Sequence, residues 1–212
     1  MRWFVFLLSW TSLFAADFAP TIVLDAGHGG TDLGARRPVP YCEEKRITLQ
    51  TARLVKKYLT QLGYHVVMTR DYDAFVPLER RVEIANQSPL ALFVSIHFNS
   101  AKATSADGIE VYFYDSKEER NRTSASKRLA DSILRRVVRH TSARSRGVKP
   151  GNFYVLREAE IPAVLVEGGF ISNAEERSLL KKTAYLEKIG RGIADGVHFY
   201  LESKGKNVLG AS

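Results

Sequence analysis

Three short apolar runs in this chain each lead into a residue that can bind a metal or move a proton. Thr21–Leu24 (TIVL) runs through Asp25 and Gly27 into His28, Ala91–Ile96 (ALFVSI) ends at His97, and Ala163–Val166 (AVLV) ends at Glu167. Runs this short and this uniformly apolar suit strands buried on both faces of a sheet. Between them the apolar residues recur at helical spacing. Glu44–Leu62 is predicted to be a helix, with apolar residues at Ile47, Leu54, Val55, Tyr58, Leu59 and Leu62 and Gly63 as its stop. Shorter helices are predicted over Leu78–Gln87, Ser124–Thr141, Asn173–Leu180 and Lys188–Leu201. Further strands are predicted over Tyr64–Thr69, Gly108–Tyr114 and Asn152–Leu156. Asp25–Tyr41, with Arg36, Arg37, Pro38 and Pro40, reads as a loop, and Asp115–Thr123 as a charged surface link.

Strands alternating with helices imply an α/β fold: one domain with a twisted, mostly parallel or mixed sheet, covered by helices on both faces. With 45% hydrophobic residues the chain can bury a sizeable core. No repeat or linker divides residues 20–203, and the polar stretch 204–212 reads as a flexible tail. Residues 1–16 carry Arg2 and the apolar run Trp3–Phe14, which is too short for a stable bilayer span and fits a signal peptide, with an uncleaved anchor as the competing reading. The expected location is therefore outside the cytoplasm, in the periplasm or cell envelope. The single cysteine, Cys42, excludes an intramolecular disulfide and a Cys-rich zinc site. The net charge of +8 favours anionic partners, but the basic residues are dispersed and no nucleic-acid motif is present.

If the three runs are parallel strands, His28, His97 and Glu167 collect at the carboxyl edge of the sheet, where open α/β sheets bind ligands. The glycines around His28 (Gly27, Gly29, Gly30) let the backbone turn sharply and approach a bound group closely. GHGGTDLG is not a dinucleotide loop, because Asp32 occupies the third glycine position. Two imidazoles and a carboxylate suit zinc with one position left for water. Glu43 and Glu44, at the start of the first helix, both offer that carboxylate. Asn99, two residues after His97, fits a substrate-binding amide, and Glu167 is left as general base. Asp25 either orients a ligand histidine or bonds the turn backbone. Arg80 and Arg81 either meet a substrate carboxylate or form surface ion pairs. His65, His140 and His198 lack any such context. Ser124 and Lys127 form an S-x-x-K motif, a candidate second nucleophile site, with Ser124 equally suited to cap a helix.

Taken together, LDAGHGGTDLGA, EEKRITL, LERRVEIAN, FVSIHFNS, GIEVYF, RGVKPGNFYVLR and IPAVLVEGGFISN resemble the zinc-dependent N-acetylmuramoyl-L-alanine amidases of the bacterial cell-division type, over roughly residues 21–200. The resemblance implies a Zn²⁺ cofactor on His28, Glu44 and His97, with Glu44 chosen because Glu44-Lys45 aligns with the family's E-K. It implies Glu167 as the acid-base residue. It implies cleavage of the amide between N-acetylmuramic acid and L-alanine of the stem peptide. Gly168 stands where the family often has a larger residue, which would widen the site. Regulated members insert a plugging helix where this chain has only Asp115–Thr123, so an open site is expected. The expected partner is peptidoglycan, met by a monomer with no nucleic acid, and with membrane proximity only through the N-terminal segment. The competing readings are a zinc peptidase, a penicillin-sensitive carboxypeptidase working through Ser124 and Lys127, and a non-catalytic wall-binding module.

Overall fold

The computed structural model describes residues 20–39, 41–88 and 91–209; the signal segment read over residues 1–16 lies outside them. In chain order the elements are β1 (Thr21–Ala26), β2 (Arg36–Pro38), β3 (Tyr41–Glu43), α1 (Glu44–Gln61), β4 (His65–Met68), α2 (Leu78–Asn86), β5 (Leu92–Asn99), β6 (Ile109–Phe113), α3 (Arg120–Thr141), β7 (Ser145–Pro150), α4 (Tyr154–Arg157), β8 (Ala163–Phe170), α5 (Ala174–Leu180) and α6 (Thr183–Leu209). Six strands form one sheet in the order β4-β1-β5-β8-β6-β7, and β2 and β3 form a separate antiparallel pair.

The apolar runs sit where their composition sends them. β1, β5 and β8 are adjacent, parallel and central. Ile22, Leu24, Val94, Ile96, Val164 and Val166 point to one face, where α1, α3 and α6 close the larger core. Val23, Phe93 and Leu165 point to the other, over a smaller core closed by α2 and α4. β6 runs antiparallel to β8, and β7 runs parallel to β6.

Four sequence expectations change. The loop after β1 contains the β2–β3 hairpin, closed by pairing that no local pattern announces. The strand expected over Asn152–Leu156 lies earlier, at β7, and α4 is a helical turn that buries Val155 and Leu156. α3 begins at Arg120, within the stretch read as a link, because charged residues are good helix formers when one face meets solvent. Ser124 is therefore inside the helix, not its cap. α6 begins earlier than Lys188 and continues past Leu201. Among the described residues no helix is long and apolar enough to cross a membrane.

Candidate metal centre

β1 and β5 are neighbours, yet the chain leaves them in opposite directions: α1 returns to β4 on one side, and the later elements build the other. This reversal opens a crevice at the carboxyl edge between the two strands. His28 follows β1 into the crevice and His97 stands near the end of β5. Their rings meet edge to face at a centroid distance of 4.8 Å. Glu44, in the first turn of α1, reaches between them. Its Oε1 lies 3.0 Å from His28 Nε2 and 3.0 Å from His97 Nδ1. One donor atom from each residue lies within 4.8 Å of the others, which makes the trio a group able to hold a metal ion.

Each member is held in place. His28 has φ +62°, a left-handed backbone that side chains rarely adopt and that costs of order 1–3 kcal/mol. Arg81 Nη2 fixes this turn by donating to the His28 carbonyl at 2.8 Å. Asp32 accepts from His28 Nδ1 at 2.8 Å. Glu44 accepts from the backbone amides of Ala35 at 2.8 Å and Phe98 at 3.1 Å. A Cβ at Gly27 would lie 2.3 Å from two His97 ring atoms, so the glycine makes room for that histidine and not for a ligand.

The electrostatics follow from this packing. Burial alone would push Glu44 up, but hydrogen bonds and charge from His28 and His97 outweigh it and hold the carboxyl far below its usual range. Burial alone would push His28 down, but Glu44 and Asp32 outweigh it and hold the imidazole above its usual value. Glu167 pairs across the sheet with His97 on one side and with Glu110 on the other. Its Oε2 is buried without a hydrogen-bond partner. Burial, then the charges of Glu44 and Glu110, push its pKa well above the normal carboxylate value.

The structure separates the two glutamates left open by the sequence. Glu44 joins the histidines, whereas Glu43 bonds the Tyr41 hydroxyl and lies 3.0 Å from Arg46 Nε. Asn99 reaches the site's edge with its amide engaged: Nδ2 donates to Glu110 at 2.7 Å, and Oδ1 accepts from the Ser100 amide at 2.8 Å. Ser124 and Lys127 do not join the cluster. Their neighbour Ser126, in the same part of α3, accepts at Oγ from the backbone amide of Ala163 at 3.1 Å, at the start of β8 and so at the opposite edge of the sheet from Glu167. Both are exposed, and Ser124 Oγ takes its hydrogen bond from Arg128 Nη1 at 2.8 Å instead of meeting Lys127. An activated serine needs its base within hydrogen-bond reach, and this pair lacks that contact. Cys42 belongs to the larger core.

Other expectations shift as well. Asp25 neither orients a histidine nor caps the turn; it accepts from Thr69 at 2.7 Å, Ser95 at 2.6 Å and Arg81 at 2.6 Å. Arg81 is buried, and only Arg80 forms a surface ion pair, with Glu83. Gly168 does not widen the site: a Cβ there would lie 2.7 Å from the ring of the buried Phe98. His65, His140 and His198 bond Thr21, Asp195 and Tyr64 elsewhere. Sequence reasoning missed Asp32, whose place four residues after His28 in the same glycine-rich turn was the available signal. It also missed Arg70, which donates to the carbonyls of Ala26, Gly27 and Lys45 and so braces the same turn from behind. No local pattern marks Arg70.

Comparison with known proteins agrees with this geometry. Residues 22–198 match the family described as N-acetylmuramoyl-L-alanine amidase. The probable cell wall amidase LytH of Staphylococcus epidermidis is 36% identical over 86% of this chain, which spans 59% of that protein's length. An N-acetylmuramoyl-L-alanine amidase from Clostridium difficile 630 is 34% identical and superposes with a TM-score of 0.83, over 88% of this chain and 98% of that one. The catalytic domain of the amidase CwlV from Bacillus (Paenibacillus) polymyxa var. colistinus is 37% identical with a TM-score of 0.79, over 86% and 98%. The match covers the sheet from β1 to β8 and every residue of the His–Glu–His cluster, and by it this chain belongs to the N-acetylmuramoyl-L-alanine amidase family.

Proposed function

We propose that this chain is an exported, zinc-dependent hydrolase that cuts the amide between the lactyl group of N-acetylmuramic acid and L-alanine of the peptidoglycan stem peptide. The observation that carries this reading is the convergence of His28 Nε2, His97 Nδ1 and Glu44 Oε1 beside the buried, unpartnered oxygen of Glu167. Two imidazoles and one carboxylate are a donor set that zinc accepts in hydrolases. Donors around a tetrahedral zinc stand about 3.3 Å apart, given bonds of roughly 2.0–2.1 Å. The two 3.0 Å separations need only a slight expansion to fit.

His28, Glu44 and His97 would hold the ion, and Asp32 would fix the tautomer that leaves His28 Nε2 bare. Bound zinc supplies Lewis-acid polarisation of the scissile carbonyl and activation of water. Glu167 does the proton work. Its free carboxylate oxygen accepts the proton released by the attacking water and then delivers it to the nitrogen of the departing alanine. The surroundings that raise its pKa make it a better acceptor when ionised and keep it able to donate at the second step. Only residues 114–119 lie between β6 and α3, which supports a site that works without an activator. The apolar run Trp3–Phe14 supports export.

The test is digestion of purified peptidoglycan by the purified protein alone, read by mass spectrometry. The expected products are intact stem peptides with free L-alanine amino termini, lost with a chelator and restored by zinc. Cleavage inside the stem instead would identify a peptidase, and wall binding without cleavage would identify a binding module. A requirement for a second protein would overturn the open site. Glu167→Gln should keep its zinc and lose turnover; full activity in that variant would remove Glu167 from the chemistry.

A further inference from the structure

Glu110 is the cross-strand neighbour of Glu167 and is 2% exposed. Four donors converge on its carboxylate. Asn99 Nδ2 at 2.7 Å and the Tyr112 hydroxyl at 2.9 Å reach Oε1, while Arg146 Nε at 2.9 Å and Lys149 Nζ at 2.5 Å reach Oε2. One carboxylate thus faces two cations and leaves a positive charge over. Arg146 is tied down on three sides: besides Glu110 it donates from Nη1 to the Asp107 carbonyl at 3.2 Å, and its guanidinium lies over the Phe170 ring at 4.9 Å. Lys149 is held by fewer contacts. Among the described residues its ammonium makes one hydrogen bond, two N–H groups remain, and the side chain is 37% exposed. Beside it the rings of Tyr112 and Phe153 meet edge to face at 5.1 Å, and Phe153 is 38% exposed. A cation with spare donors, an aromatic wall and a catalytic carboxylate one strand away are arranged as a subsite.

We propose that Lys149 binds a carboxylate carried by the second residue of the stem peptide, and that it selects peptides in which this group is free over those in which it is amidated. This rests on the amidase reading. The reach agrees. A carboxylate on the second residue lies about 7 Å from the scissile nitrogen, two residues along an extended chain. β6 adjoins β8 at about 4.8 Å. Lys149, on β7 beside β6, places its ammonium 2.5 Å from the Glu110 carboxylate. Glu110 holds the lysine at this place, so the charge is preorganised and little rotamer freedom is lost on binding. Arg80 and Arg81 do not compete for the role, since one pairs with Glu83 and the other is buried against Asp25.

The experiment uses two synthetic muramoyl peptides that differ only at that carboxyl, free in one and amidated in the other. Wild-type protein should show a kcat/KM for the free acid higher by on the order of tenfold, the difference residing in KM. Lys149→Gln should bring the ratio close to one, and Lys149→Arg should restore part of it. If Lys149 only steadies Glu110, the substitution lowers both substrates alike and the ratio stays as in wild type, which overturns the proposal. A wild-type ratio of one overturns it too. Failure of the wild-type protein to cut either muramoyl–alanine amide is a different result: it removes the amidase reading and the subsite with it.

Discussion

A histidine has two ring nitrogens, and the bond made by one decides what the other offers. Asp32 accepts from Nδ1 of His28, which turns Nε2 toward Glu44 and toward any ion held there. Loss of such an outer partner typically weakens metal binding by about 10- to 100-fold. Asp32→Ala should therefore lower zinc affinity by that order in competition against a chromophoric chelator. Unchanged affinity would mean that Asp32 serves only the Gly34 amide, which it also accepts at 3.1 Å. Glu110 acts on Glu167, the proposed base. Burial comes first among the causes that raise Glu167, and the Glu44 and Glu110 charges add to it. A base works only when ionised, so activity on the acid side rises with pH through the Glu167 pKa. Glu110→Gln removes one of the raising charges and leaves Arg146 and Lys149 uncompensated. Both changes lower that pKa, so the acid limb of kcat/KM should move to lower pH; a shift upward or none at all would disprove the coupling.

At the level of elements, α2 is fastened to the end of β1 by one buried ion pair. Arg81 Nη1 donates to Asp25 at 2.6 Å and to the Ala26 carbonyl at 2.8 Å, and Nη2 holds His28. Removing one partner of a buried pair costs about 3–5 kcal/mol, because the other charge stays buried. Burial by itself would raise Asp25, but Arg81, Ser95, Thr69 and His97 outweigh it and hold its pKa below 3.8. In the wild type Asp25 thus contributes stability above that pH and loses it as pH falls through the lower folded value. In Arg81→Met burial would prevail and the folded pKa would rise, so the destabilisation is largest near neutrality and shrinks toward acid. Urea unfolding at pH 7 and pH 4 should show a narrowing gap between the two proteins; a constant gap would sink the argument. The same scale shows what local pattern conveys. α1, α2 and β6 were legible because their apolar spacing is their packing. The β2–β3 hairpin was not, since its three-residue strands, one of them ending in Pro38, are held by pairing alone. β7, half-exposed at the sheet's edge, carries no alternation to read.

For the whole molecule the site was legible for a topological reason: each central strand delivers its chemistry to one edge, so three apolar runs and the residues after them outline both sheet and site. What lay hidden was the polar layer beneath. Arg70, Asp25, Thr69 and Ser95 bond across residues far apart in sequence, and only the assembled fold puts them together. That assembly also links metal and fold. His28, Glu44 and His97 come from the β1 turn, α1 and β5, so their mutual geometry exists only when β1, α1 and β5 are in place. An ion that binds the native chain and not the unfolded one stabilises it by about 2.7 kcal/mol at a hundred times its dissociation constant. For a domain of this size that corresponds to a rise in Tm of roughly 5–11 °C. Calorimetry of the chelated protein should show the lower Tm, with zinc restoring it. His97→Ala, with one donor gone, should melt at nearly the same temperature with and without zinc. If zinc moved that variant as far as the wild type, the ion would be bound somewhere other than at the carboxyl edge of the sheet.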